Sequence, residues 1–367
     1  MVDTLPSSYD DVGDAMKVML TGATGFIGSW TIPVLTSAGH DVIALIRRPA
    51  QAATLSDLVS ERGGDPERLS YVIGDLAQPE LGLTESVDPD VIVHLGASFA
   101  WNLDPDVARA TNVEGSLDVV RLAARHNAQL VLIGGYMLTN QTHLDELGID
   151  LARPDDVDWA AISAKTGVYE ASKIESHARA VCLATELGVT WQAIHPATLC
   201  GHSITGDLAA GQPLNDLIAT VKSGRMAAIP GSRHHWLPLV TVDHLTAVIT
   251  RAIEDPHAHG RELLALDDRS PSLGELINLI AVTAGRPRVR AHVPIGALRF
   301  ALAVPGLRRA VPTSRESLGF IRTDRFDVTA LEAFEKSFGI DRPDIHRAVE
   351  ASTRAWSPES RSSILIS

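Results

Sequence analysis

The chain has 367 residues, 45% of them hydrophobic and 21% charged, with 32 Lys and Arg against 45 Asp and Glu, a formal net charge of −13. An acidic surface without a basic run argues against nucleic acid or an anionic membrane as a partner, and no apolar stretch reaches the length of a membrane helix. Two cysteines, Cys182 and Cys200, cannot build a disulfide framework and fit a reducing, cytoplasmic setting.

Residues 1–16 read as a loose acidic leader that lacks the basic and apolar regions of a secretory signal. Residues 17–21 (KVMLT) then read as a strand ending at Gly22, 26–37 as a helix closed by Gly39, and 41–48 (DVIALIRR) as a second strand. Further strands are expected at 69–75, 90–98, 128–135 and 189–196, with helical periodicity over 105–126 and 166–187. Most of these strands are continuous apolar runs, the pattern of strands covered on both faces of a parallel sheet. Strands alternating with helices predict a doubly wound α/β sheet of the Rossmann kind. After Pro196 the rhythm changes to a loop-rich stretch, a short helix near 215–223, a strand at 237–242 and a helix that Asp243 can cap. A strand at 262–268, a Ser272–Glu275 capping box, extended chain at 288–295 and three short helices ending near Trp356 complete the reading, before a frayed tail.

The first strand runs into Gly22, Thr24, Gly25, Phe26, Ile27 and Gly28, glycines spaced G-x-x-G-x-x-G at a strand-to-helix turn. Such a turn lets backbone approach a pyrophosphate and aims the free N–H groups of a helix N-terminus at it. An Asp or Glu after the second strand would select NAD. This chain has Arg47 and Arg48 there and no acid until Asp57, which suits the 2′-phosphate of NADP. Asp75 and Leu76 follow the third strand, where an acidic side chain can accept from an adenine amine. The chain thus divides into the leader 1–16, an NADP-binding domain 17–200 with a returning segment at about 237–255, a smaller mixed α/β substrate-binding region 201–357 interleaved with it, and a tail 358–367.

Tyr169 and Lys173 stand at i and i+4 in the long helix, on one face. A nearby ammonium is expected to lower the pKa of the phenol, so that tyrosine can pass a proton to a carbonyl oxygen as a nicotinamide carries the hydride. The two cysteines form no zinc spacing and His234-His235 has no third ligand at metal spacing, so no metal is expected. His94 and His195 end strands and read as hydrogen-bonded core residues, and Cys200 as a small apolar packer. His234, His235 and Trp236 read as either a border of the substrate pocket or a plain loop.

TGATGFIG (21–28), GDL (74–76), HLGAS (94–98), Asn112-Val113, YEASK (169–173), HPATLCG (195–201) and VTVDHL (240–245) together resemble the extended short-chain dehydrogenase/reductase family. The resemblance implies that Leu95, Gly96, Ala97, Pro196 and Thr198 line the cofactor, and that Asn112 supports the active-site helix. It has one departure. The family carries a Ser or Thr after the fifth strand to polarise the substrate carbonyl, and Gly135 stands at that position here. The hydroxyl can instead come from Tyr136, Thr139, Ser98, water or the substrate, or the register shifts so that Thr139 is the family hydroxyl. Phe99, Trp101, Tyr136, Met137 and Leu199 are candidates for an apolar substrate pocket, together with Ser98 and Gly135. The expected function is an NADPH-dependent reductase of a ketone or aldehyde on a hydrophobic small molecule, acting as a monomer or homodimer. The alternatives are a nucleotide-sugar epimerase or dehydratase and a non-catalytic NADP-sensing regulator.

Overall fold

The computed structural model describes residues 15–98, 103–209, 211–255, 257–303 and 321–357. The amino-terminal half alternates strand and helix: β1 (Lys17–Thr21), α1 (Phe26–Ser37), β2 (Asp41–Ile46), α2 (Gln51–Glu61), β3 (Leu69–Ile73) and β4 (Val91–His94). It continues through α3 (Pro105–Ala108), α4 (Gly115–His126), β5 (Gln129–Ile133), α5 (Gln141–Leu147), α6 (Trp159–Thr166), α7 (Val168–Glu186) and β6 (Trp191–Pro196). Then follow β7 (Thr198–Leu199), α8 (Pro213–Lys222), β8 (Ile229–Pro230), β9 (Leu239–Val240), α9 (Val242–Ile253), β10 (Arg261–Ala265) and α10 (Leu273–Thr283). The last elements are β11 (His292–Val293), α11 (Ile295–Ala303), α12 (Thr329–Phe338) and α13 (Ile345–Ala355).

The main sheet has seven parallel strands in the order β10-β6-β5-β4-β1-β2-β3. The chain runs outward from β1 to β3 and crosses back to β4, so the order reverses between β1 and β4. Ligands of open α/β sheets bind beyond the strand ends at such a switch. The reason for the continuous apolar strands is visible in β1 and β4. Val18, Leu20, Val91 and Val93 face one core with α1, α2 and α9, while Met19 and Ile92 face the other with α4 and α7.

Several sequence expectations are corrected. Met16 belongs to the fold rather than to the leader: its N–H donates to His40 Nδ1 and its carbonyl accepts from Asp41. The helix expected over 105–126 contains a π-helical stretch, Arg109–Glu114, between α3 and α4. Helices α2, α5 and α6 lie where no element is expected. The strand at 237–242 shrinks to Leu239–Val240, and α9 is capped by the Thr241 side chain, because Asp243 instead accepts from Ser203. The strand near 262–268 is assigned to the smaller region by the sequence, but β10 pairs with β6 and completes the main sheet. The Ser272–Glu275 capping box forms as expected.

Residues of α8, α10 and α13 enclose a further apolar core with Leu214, Ile218, Leu276, Ile277, Ile280 and Val349, the centre of the smaller region, and Cys200 packs in it.

Candidate active site

The turn after β1 is shaped by glycine. Gly22 has φ +69°, and a Cβ there would lie 2.7 Å from the main chain of Gly96. A Cβ on Gly28 would lie 2.4 Å from the Gly22 carbonyl oxygen, so α1 can sit this close to the strand end only without side chains. Gly25 begins α1 with no side-chain cap, which leaves the first N–H groups of the helix for a ligand.

A buried hydrogen-bond chain fixes the neighbouring strand end. Gly96 N–H donates to Thr21 Oγ1, and Ser116 Oγ donates to the Asn112 carbonyl. Thr21 and Ser116 contact His94 Nδ1 and Nε2 at 2.7 and 2.9 Å. With Thr21 accepting from Gly96 and Ser116 giving its proton to Asn112, His94 must accept at Nδ1 and donate from Nε2. Burial, with the charge of Lys173 second, pushes His94 down to about 3, so the ring stays neutral in that tautomer. His94 is therefore the satisfied core histidine the sequence suggests. Asn112, placed inward by the π-helical stretch, accepts from Ser98 N–H and donates to the Ser98 carbonyl and to Ser172 Oγ. It thereby ties the loop after β4 to α7 beside Lys173.

Beyond the ends of β1, β4, β5 and β6 lies one cleft. Gly22, Gly25, Phe26, Ile27, Gly28, Leu95, Ala97, Gly135, Tyr136, Met137, Tyr169, Lys173, Pro196, Thr198 and Leu199 line it, all expected from sequence. Thr24, Gly96, Leu76 and Ser98 do not line it. Leu76 packs beneath Gly96, whose Cβ would lie 2.4 Å from Leu76 Cδ1. Arg47 and Arg48 are exposed just beyond β2, with both N–H groups donating to Gln51 Oε1. Register puts Ile46 opposite Ile73, and Gly74 donates to the Ile46 carbonyl, so Arg47 and Asp75 leave adjacent strand ends together. Phe99 and Trp101 lie outside the described residues. His234 and His235 do not line the cleft.

Lys173 Nζ donates to the Ile133 carbonyl at 3.1 Å, and burial pushes its pKa down to about 8. Burial, followed by the charge of Glu170, pushes Tyr169 up to about 12. The expected lowering of the phenol by its lysine is not found: desolvation of the would-be phenolate dominates and the Glu170 charge adds to it. At neutral pH Tyr169 holds its proton, as a proton donor must. Glu170 is itself held by His143 Nε2 at 2.6 Å, a contact from α5 that the sequence does not announce.

Gly135 faces the cleft, and Thr139 does not: its hydroxyl donates to the Tyr136 carbonyl at 2.9 Å. Tyr136 is buried, packs edge-on against Phe326, and has the Arg322 guanidinium over its ring at 5.7 Å and hydrogen-bonded to it. Burial pushes this phenol up to about 12 as well, against the pull of Arg322. Arg322 is missed by sequence reasoning; it arrives through paired main-chain hydrogen bonds with Trp236. Gln212 and Pro213, from the start of α8, close the far side of the cleft and carried no sequence signal.

The cleft fits a nicotinamide dinucleotide on its own geometry. The glycine cradle would be filled by any Cβ, and the buried Thr198 Oγ1 at the cleft has no protein partner.

The model of the family described as "Male sterility protein", an NAD-binding family, matches residues 20–249. The L-2-aminoadipate reductase large subunit of Penicillium chrysogenum is 26% identical over 81% of this chain, but the chain spans only 22% of that protein. Dihydroflavonol 4-reductase of Hordeum vulgare is 28% identical over 70% of this chain and 72% of its own length. Among solved structures, the terminal R domain from the myxalamid PKS-NRPS biosynthetic pathway superposes with TM-score 0.72 at 20% identity, covering 94% of this chain and 90% of that one. UDP-glucuronic acid 4-epimerase from Bacillus cereus, in complex with NAD, gives 0.61 at 14% identity, covering 93% and 98%. These structural likenesses establish the fold.

Proposed function

The chain belongs to the male sterility protein family, within the extended short-chain dehydrogenase/reductases, and from that premise we propose that it is an NADPH-dependent reductase of ketones or aldehydes. The aminoadipate reductase and dihydroflavonol reductase among its relatives support NAD(P)-dependent oxidoreductase chemistry. The observation that carries the finer reading is the meeting of Tyr169, Lys173 and the glycine turn in one cleft, with the phenol protonated.

When bound, the dinucleotide supplies a hydride to the carbonyl carbon. The glycine turn and the first N–H groups of α1 hold its pyrophosphate, and Arg47 holds the 2′-phosphate. Thr198 Oγ1 offers a hydroxyl to the cofactor. As the carbonyl oxygen gains charge, Tyr169 gives it the phenolic proton, and the ammonium of Lys173 stabilises the phenolate left behind. Tyr136, its hydroxyl oriented by Arg322, donates a hydrogen bond to the same oxygen and so takes the place of the serine hydroxyl that Gly135 lacks. Tyr136, Met137 and Leu199 give the pocket an apolar wall, which suits a hydrophobic substrate.

The test is NADPH consumption with a panel of aldehydes, ketones and nucleotide sugars, in wild type and Tyr169→Phe. Carbonyl-dependent consumption that falls by about 10²-fold or more in the variant is expected, the usual scale of general acid catalysis. Isomerisation of a nucleotide sugar without net NADPH consumption would overturn the reading in favour of an epimerase.

A further inference from the structure

Near the carboxyl end of β6, three side chains far apart in sequence converge. His177 comes from α7, His195 from β6 and Glu262 from β10, the strand that pairs with β6. Their donor atoms all lie within 4.8 Å of one another. His177 Nε2 stands 3.4 Å from Glu262 Oε1, and His195 Nε2 stands 3.5 Å from Glu262 Oε2. The two rings are 5.0 Å apart at 79°, so their Nε2 atoms converge edge to face on the carboxylate.

These separations are long for hydrogen bonds, whose N–H···O distances centre near 2.9–3.0 Å. His195 is fully buried, and both its ring nitrogens lack a hydrogen-bond partner. His177 Nδ1 is likewise without one. This is not the satisfied core histidine that the sequence suggests at 195. The same separations match a shared cation: ligand bonds of about 2.0–2.2 Å in a tetrahedron put neighbouring donor atoms roughly 3.3–3.6 Å apart. The carboxylate is the outermost group, 39% exposed, so a cation and a water can reach the site from solvent.

We propose that His177, His195 and Glu262 form a binding site for a divalent transition metal of the zinc class, with water as a further ligand. Two imidazoles and one carboxylate suit zinc, whereas magnesium and calcium prefer all-oxygen sets. The site joins the helix that carries Tyr169 and Lys173 to the last two strands on that side of the sheet. His195 also packs directly behind the active-site floor, since a Cβ on Gly134 would lie 2.4 Å from its Nδ1. A metal here staples α7 to β6 and β10, and no step of the reduction passes through it.

The experiment uses the full chain, stripped with EDTA and titrated with ZnCl2 and, separately, CoCl2. One Zn2+ per chain, a rise in Tm on adding zinc, and visible d–d absorption with Co2+ are expected. Glu262→Gln, at the exposed ligand, and His177→Gln should each weaken zinc binding by at least about 10–100-fold, the scale on which even outer partners of metal ligands act, while the metal-free variants melt near the stripped wild type. The inference is overturned if the stripped wild type takes up no zinc, or if Glu262→Gln and His177→Gln both bind it as tightly as wild type, which would put the ion elsewhere. These readouts are independent of reductase turnover.

Discussion

Lys173 and Ile133 are joined by a single hydrogen bond, Nζ to main-chain carbonyl at 3.1 Å, that fastens the helix bearing the tyrosine to the last residue of β5. Gly134 and Gly135 follow at once, so the ammonium is set relative to both the phenol and the cleft floor. Lys173 lines the cleft itself, and its burial makes its charge sensitive to pH.

That placement predicts a pH dependence. Lys173 is pushed down to about 8 by burial, so its charge is present below that pH and lost as pH rises through it. Reduction leaves a phenolate on Tyr169 that the ammonium stabilises, and kcat for reduction should therefore fall as pH rises through about 8. In Lys173→Arg the guanidinium stays charged (pKa above about 12), and the fall should move to higher pH even if the plateau is lower. A pH profile of kcat that keeps its midpoint in Lys173→Arg would show that another group titrates.

Arg47 should set the cofactor preference. A guanidinium–phosphate contact is charge-assisted, and its removal costs about 1.5–3 kcal/mol. In Arg47→Ala the KM for NADPH should rise roughly 10–150-fold, with little change for NADH. An unchanged ratio of the two constants would move the role to Arg48 or point to NAD as the natural cofactor.

The substitute for the serine should be found at Tyr136. Loss of one oxyanion-type donor costs about 10²–10³ in rate, so Tyr136→Phe should lower kcat on that scale with little effect on NADPH affinity. Thr139→Ala should leave kcat within about twofold, because its hydroxyl is committed to the Tyr136 carbonyl. Gly135→Ser should fold, since the backbone there is extended at φ −170° and a new Cβ meets only the movable Met137 side chain, its Sδ at 2.6 Å. If Gly135→Ser restores full rate to Tyr136→Phe, the two hydroxyls serve one oxygen; equal damage from Thr139→Ala and Tyr136→Phe would refute the assignment.

Gly28→Ala tests the cradle. Its Cβ would press on main-chain atoms of Gly22 and Ala23 at 2.4–2.9 Å, and backbone cannot swing aside as a side chain can. Overpacking of this kind costs about 1–3 kcal/mol. The variant should show a lower denaturation midpoint in urea and weakened NADPH binding by fluorescence titration. Wild-type values for both would mean that α1 can slide away from the strand at no cost.

Much of this site can be read from the chain because its signals are local. The glycine turn, Tyr169 and Lys173 at i+4, and the Ser272–Glu275 box each depend on spacings of a few residues, and spacing survives without a structure. What escapes is set by contacts across the fold. Arg322 reaches Tyr136 only because Trp236 pairs with it, and β10 joins the main sheet only because β6 offers an open edge. The direction of the Tyr169 shift also escapes, since a sequence shows the lysine four residues on but not the burial that raises the phenol. Asn112 lies between these cases: its residue type is legible, while the π-helical stretch that turns it inward is not.

The late arrival of β10 bears on how the chain matures. Until residue 265 has emerged and docked, β6 is an outer strand with a free row of N–H and C=O groups, yet it already carries Pro196 of the cleft. Unprotected strand edges invite pairing with other chains, and domains fold progressively as they leave the ribosome. The nucleotide half is thus complete in its glycine turn long before its last edge is covered, and the interval between the two is the span of chain from β6 to β10.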